Sequence, residues 1–211
     1  MAVSLPDGTV YSIATTMGSA ISMTDLANGK DPAATLSGGT VNANDIVVIG
    51  SGWSKINDRV AKIGATDKLL GIDTTDTDQY PAGSGGGSLS VASDFVQISQ
   101  VLSSESSGGE QQFTTYSFLE NDFENQIPTR SSPSTITLSL ADDPTLQGYQ
   151  ALEKAAESRK AHVIKARFPS GSEIFYNAYV SLNQTPSMTK GEVMAVTATI
   201  SITSRATRYA S

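Results

Sequence analysis

The sequence predicts a mainly β protein: a β-sandwich or open barrel with one flanking α-helix and a small all-β insertion. Three observations carry that prediction. Toward the C-terminal end, Met194, Val196, Ala198, Ile200 and Ile202 alternate with Thr197, Thr199, Ser201 and Thr203. Period-two alternation over ten residues describes a sheet with one buried face and one wet face. A single helical pattern is evident, with Leu146, Tyr149, Leu152 and Ala156 following Asp142-Asp143-Pro144. Charge is sparse, at 17% of the 211 residues, while glycine, serine and threonine are plentiful, as in turn-rich β proteins.

Taken in order, residues 1–35 read as an N-terminal arm and a first strand over Thr9 to Thr15, with Val10, Ile13 and Ile21 as anchors. The stretch from Ser22 to Gly29 reads as a short strand or as a turn. Residues 36–80 form a compact β-rich insertion, with short strands at 45–49, 60–63 and 69–72 separated by Asn, Asp and Gly. Trp53 reads as its core anchor, with an exposed subunit contact as the alternative. Residues 81–88, Pro-Ala-Gly-Ser-Gly-Gly-Gly-Ser, have the composition of a flexible hinge and lack the Lys-Ser/Thr of a phosphate loop. Residues 1–35 and 89–211 together then form the sandwich.

Phe95 to Leu102 is the next expected strand. Residues 103–133 follow as a long acidic loop or extended hairpin whose aromatics Phe113, Tyr116, Phe118 and Phe123 need cover, which a neighbouring subunit is expected to supply. An alternating strand at 135–140 leads into a helix over 142–158, with Asp142 or Asp143 as its cap and Pro144 in its first turn. Its apolar stripe is read as core packing. The next strand sets Ile164, Ala166 and Phe168 against Lys165 and Arg167, and a tight hairpin at 168–174 follows it.

Composition narrows the function. With no cysteine, disulfides and thiolate metal sites are excluded. The one histidine, His162, cannot build a His-rich metal site, and it reads as a strand-edge polar residue rather than a catalytic one. No cofactor or metal is expected. The acidic run 73–78 lacks the spacing of a calcium loop. No apolar run reaches the roughly 18–20 residues needed to cross a bilayer, and the N-terminus carries no secretion signal, so a soluble protein made in a cytoplasm is expected.

The net charge of −7 is unevenly placed. No lysine or arginine occurs from Leu69 to Thr129, whereas Lys154, Arg159, Lys160, Lys165 and Arg167 cluster. Such two-sidedness suits self-association; solvated loops are the plainer explanation. Tight DNA binding would need a basic footprint that is missing.

The order of features over 134–208 carries a family likeness. A strand precedes a helix opening Asp-Asp-Pro with Tyr149-Gln150-Ala151-Leu152. A basic strand ends Arg167-Phe168-Pro169-Ser170-Gly171, then comes Tyr179-Val180-Ser181, and a last long strand opens Gly191-Glu192-Val193 and closes at Arg205. This resembles the major tail tube protein of long-tailed, non-contractile bacteriophages, the lambda-like family; residues 93–133 fit more loosely as a strand and the family's long loop. The resemblance implies a virion structural protein with no chemistry of its own. Six copies would form a ring whose inner sheets join into a continuous barrel, and rings would stack into a tube for genome delivery. Implied partners are other copies of the chain, the tape-measure protein, and the tail tip and tail terminator proteins. DNA would pass transiently without specific binding.

An acidic lining would repel phosphates and let DNA slide, with Asp94, Glu120, Asp122 and Glu124 as candidates. Lys154, Arg159, Lys160 and Arg167 are candidates for pairing with a neighbour's acids. Two other functions fit parts of the sequence. One is a carbohydrate- or receptor-binding fibre sandwich using Trp53 and the tyrosines as stacking platforms. The other is a glycosidase using Glu120 and Glu124, in a stretch with little to desolvate either carboxyl.

Overall fold

The computed structural model describes residues 7–120 and 122–210. Among them run fifteen strands and one α-helix. In chain order these are β1 (Val10–Met17), β2 (Ile21–Leu26), β3 (Ala34–Ser37), β4 (Ile46–Ser51), β5 (Val60–Ile63), β6 (Leu69–Leu70), β7 (Gly87–Ile98), β8 (Val101–Ser107), β9 (Gln111–Tyr116) and β10 (Asn125–Ser131). Then come β11 (Ser134–Ala141), α1 (Gln147–Ser158), β12 (His162–Arg167), β13 (Glu173–Ser187), β14 (Ala195–Ile202) and β15 (Thr207–Tyr209). Thirteen strands form one antiparallel sheet along the path β6-β5-β4-β7-β1-β12-β13-β14-β11-β8. β2 branches from β7 and carries β3, β15 joins β13, and β9 with β10 form a separate hairpin. The fold is thus the expected mainly β sandwich with one helix. It stays open, because β6 and β8 end the path without meeting. Residues 1–6 of the expected N-terminal arm lie outside the described residues.

The first core lies under the helix. Ile13, Ile98, Leu138, Leu140, Ile164, Ala178, Val180, Val196, Ala198 and Ile200 pack on Tyr149, Leu152 and Ala155. The helix settles closely because Gly148 meets β7 without a side chain; a Cβ there would lie 2.8 Å from the Ile98 Cα and closer still to the Gln97 carbonyl. The helix begins later than its sequence signals imply. Asp143 does not cap it: its Oδ1 accepts the Thr145 N–H and hydroxyl, forming a turn that holds 143–145 out of helical register. Leu146 is the cap residue, with no side-chain hydrogen bond. At the other end His162 ties the helix to the sheet, with Nδ1 3.1 Å from the Ala14 carbonyl and Nε2 3.2 Å from the Ser158 hydroxyl.

A second core belongs to a small lobe spanning β2 to the start of β7. Trp53, Ile49, Ile56, Ile63, Leu69, Ile72 and Leu89 are buried there with Met23 and Leu26. Trp53 stacks edge-on with Tyr80 at 5.3 Å and donates its Nε1–H to the Pro81 carbonyl at 3.0 Å. The glycine-serine stretch lies over it: a Cβ on Gly85 would come within 2.7 Å of the indole. Gly87 and Ser88, placed with the hinge from composition, open β7 and pair with β4. The acidic run at 73–78 is anchored by Thr74, fully buried, whose hydroxyl donates to the Ala27 carbonyl.

β7 belongs to both cores, pairing with β4 along 87–92 and with β1 along 92–98. Between the cores sits a smaller cluster of Ala14, Val60, Ala92, Val163 and Phe175, so the middle of the sheet is buried on both faces. β15 locks the joint. The Tyr209 hydroxyl accepts the Lys62 N–H at 2.7 Å and donates to the Leu70 carbonyl at 2.8 Å. Burial pushes this phenol above its ordinary pKa, with the Lys62 N–H opposing.

Candidate assembly surfaces

Beyond the joint, four strands leave the shelter of the small lobe: β8, β11, β14 and the C-terminal half of β13. Their inner face is the first core. Their outer face follows from register. Ser107, Thr135, Ser201 and Tyr179 form one row across the four strands; Glu105, Thr137, Thr199 and Ser181 form the next; Ser103, Ser139, Thr197 and Asn183 form a third. This face is made of hydroxyls and an amide, with one carboxylate and no lysine or arginine in the three rows.

The same four strands carry two open edges. β8 pairs with β11 on one side and with nothing on the other. β13 changes neighbour along its length: Ala178 pairs with His162 on one side and Ile202 on the other, and beyond it β12 stops while β14 continues. From Tyr179 to Ser187 one edge of β13 is therefore unpaired by any strand. Unpaired edges of this length are ready templates for another chain.

The β9–β10 hairpin projects from the sheet between β8 and β11. Its register runs from Gln111 opposite Ser131 to Tyr116 opposite Asn125. Both strands are exposed on every residue, and Phe113, Tyr116, Phe118, Leu119, Phe123 and Ile127 have no core beneath them. Tyr116 and Phe118 touch only edge to face, at 5.5 Å.

The predicted site residues fall on several elements. Glu120, Asp122 and Glu124 come together in the hairpin turn. Asp94 lies apart from them in β7, at a left-handed residue (φ 53°) whose carbonyl accepts the Thr15 hydroxyl at 3.0 Å. Lys154 is exposed on the helix, and Arg159 and Lys160 follow at its C-terminal end, Arg159 in the left-handed cap conformation. Arg167 lies at the far end of β12 from them, also exposed. None of these four has a carboxylate partner; the only ion pair among the described residues is Lys165 with Glu173 at 3.9 Å. Glu105, the one carboxylate of the three rows, is not among the expected lining residues, because 103–107 is too uniformly polar for a strand face to show in the sequence.

Trp53 is 3% exposed and offers no stacking surface to a carbohydrate. Glu120 and Glu124 are both exposed, in a turn. Among the described residues no three His, Asp or Glu are grouped to hold a metal, and no helix is long and apolar enough to cross a membrane.

Comparison with known proteins adds the following. A family model described as phage tail tube protein matches residues 51–211, reaching upstream of the stretch that carries the sequence likeness. Among solved structures, the chain is similar to one described as the anti-feeding prophage cap, the tube-terminating cap, determined by cryo-electron microscopy. The two share 20% identity over 55% of this chain and 83% of that one, with a TM-score of 0.38. No curated protein matches.

Proposed function

The chain belongs to the phage tail tube protein family, and from that premise we propose that it polymerises as stacked hexameric rings lining the channel for DNA delivery. The observation that carries the proposal is the pair of open edges on one four-stranded unit. β13, β14, β11 and β8 alternate in direction, so the β8 edge of one copy meets the β13 edge of the next in antiparallel sense. The join repeats head to tail until the ring closes, which removes both of these edges.

Ring size follows from strand spacing. Four strands from each of six copies, at about 4.8 Å apart, enclose a circle at least ~37 Å across through the backbone. Side chains narrow this to roughly 25 Å, which admits a duplex of about 20 Å. Three copies give a circle of about 18 Å, filled by its own side chains.

The hydroxyl rows around Glu105 form the lining in this reading. Neutral hydroxyls bind phosphate weakly, and a ring of Glu105 carboxylates repels it, so DNA and the tape-measure protein slide without being held. The hairpin aromatics are buried against other copies. β1 and the chain from 89 to 211 act as the tube body; the expected 36–80 insertion, enlarged by β2 and β3 out of the 1–35 segment, is the lobe packed on it, and 81–88 is the connection. The subunit is made in the host cytoplasm and ends in the virion tail, with the tail tip and terminator proteins closing the stack.

Electron microscopy of the concentrated protein, beside its light-scattering mass, tests this. Six-fold rings or hollow tubes are expected. A discrete trimer without tubes would overturn the proposal in favour of a fibre.

A further inference from the structure

A cleft of about 380 Å³ opens where the small lobe meets the segment after β14, lined by Ser54, Lys55, Asn57, Arg59, Gln79 and Arg205. Its chemistry is unbalanced. The Arg59 Nε is buried and has no hydrogen-bond partner, and Nη2 reaches only the Thr207 hydroxyl at 3.5 Å. Burial, with the like charge of Arg205 adding to it, holds Arg59 below the usual guanidinium range; Tyr80 opposes. Among the described residues no carboxylate pairs with Arg59, Arg205 or Lys55. An unmet buried donor beside a second cation is unfavourable in the lone chain, and an entering carboxylate would offset the charge that Arg59, Arg205 and Lys55 bring to the cleft.

The hairpin turn is a matching group. Glu120, Asp122 and Glu124 stand there in a stretch without any basic residue, beside exposed Phe118, Leu119 and Phe123. Ser131, at the base of β10, lines the same cleft. The hairpin therefore rises from beside its own cleft, and its paired strands carry the turn away by about 17 Å, five steps at ~3.4 Å per residue, before the turn itself begins. It cannot fold back onto that cleft without breaking its register. A copy displaced by roughly the hairpin's length would present an equivalent cleft to this turn.

We propose that the Arg59–Arg205 cleft receives the acidic hairpin turn of a second copy of this chain. The contact is heterologous and leaves one free turn and one free cleft at the ends of any row, so it strings copies together instead of closing a pair. It rests on the tube reading in one respect: the displaced copy belongs to the neighbouring ring.

The chain has no cysteine, so single-cysteine variants give a clean test. D122C and S54C full-length chains are mixed at assembling concentration with a short bis-maleimide. Linked mixed dimers are expected at least tenfold above those formed when S139C replaces S54C. Adding Arg205→Glu to the S54C chain should abolish the link, and Glu124→Arg in the D122C chain should restore part of it. Tubes that form normally without the link would overturn this docking and leave the tube reading standing. Absence of both link and tubes would count against both. A link that survives Arg205→Glu at full yield would also overturn the proposal, because the cleft's charge would then play no part.

Discussion

The small lobe and the β9–β10 hairpin are both aromatic, acid-bearing excursions from the main sheet, and they treat their aromatics in opposite ways. In the lobe Trp53 is 3% exposed, packed against Tyr80 and hydrogen-bonded to the Pro81 carbonyl. In the hairpin Phe123 is 79% exposed, and five other large apolar side chains stand uncovered with it. The lobe has enough short strands to enclose a core of its own. A lone two-stranded ribbon has none, and its apolar surface is satisfied only by another molecule. One region is completed within the chain; the other is left uncovered, and in the proposed tube other copies cover it.

That contrast can be broken at the lobe. Trp53→Ala should cost about 3–5 kcal/mol, measured by chemical denaturation, because the indole holds the lobe core and the 81–86 crossing together. Gly85→Ala should cost about 1–3 kcal/mol, since its methyl group would press on the Trp53 ring.

Tyr209→Phe should cost about 1–2 kcal/mol by stranding the Lys62 N–H and the Leu70 carbonyl. The wild type carries an alkaline signature as well. Its phenol is raised, so the contribution is fully present below the ordinary value of about 10 and is lost as pH rises through the higher folded value. The phenylalanine variant should lack that alkaline loss. Asp73, held below the ordinary carboxylate range by the Thr75 N–H and then its hydroxyl, behaves in the opposite sense. Its contribution is present above the ordinary range and is lost as pH falls through the lowered folded value, so Asp73→Ala should flatten the acid limb of a pH–stability curve slightly. The smallest stability effect is expected at the hairpin. Phe113→Ser with Phe123→Ser should change unfolding by no more than about 0.5 kcal/mol, yet remove tube formation seen by electron microscopy. A large loss of stability there would mean that the hairpin folds onto its own chain.

The legible parts of the sequence were those where one element decides its own pattern. The alternation of 194–203 became β14, and the segments at 60–63 and 135–140 became β5 and β11, because a half-buried strand writes its burial into every second residue. The helix start was misread because Asp143 satisfies a local turn as readily as a cap, and Thr145 supplied that turn. The composition of 81–88 describes what the stretch does alone, without the indole beneath it. The assembly surfaces were legible only in part. Hairpin aromatics and acids stand out in sequence. The open β13 edge does not, because it exists only where β12 ends, and Arg59 and Arg205 are brought together across most of the chain.

The clasp at β15 has a bearing on how the protein comes to be made. Lys62 and Tyr209 are 147 residues apart, so the strands of the small lobe emerge long before the tyrosine that fastens them. At about 5–20 residues per second, a nascent chain spends seconds to tens of seconds with that fastening absent. The joint between lobe and sheet is therefore the last part of the fold to be fastened, which makes the region around Tyr209 a poor place to attach a tag.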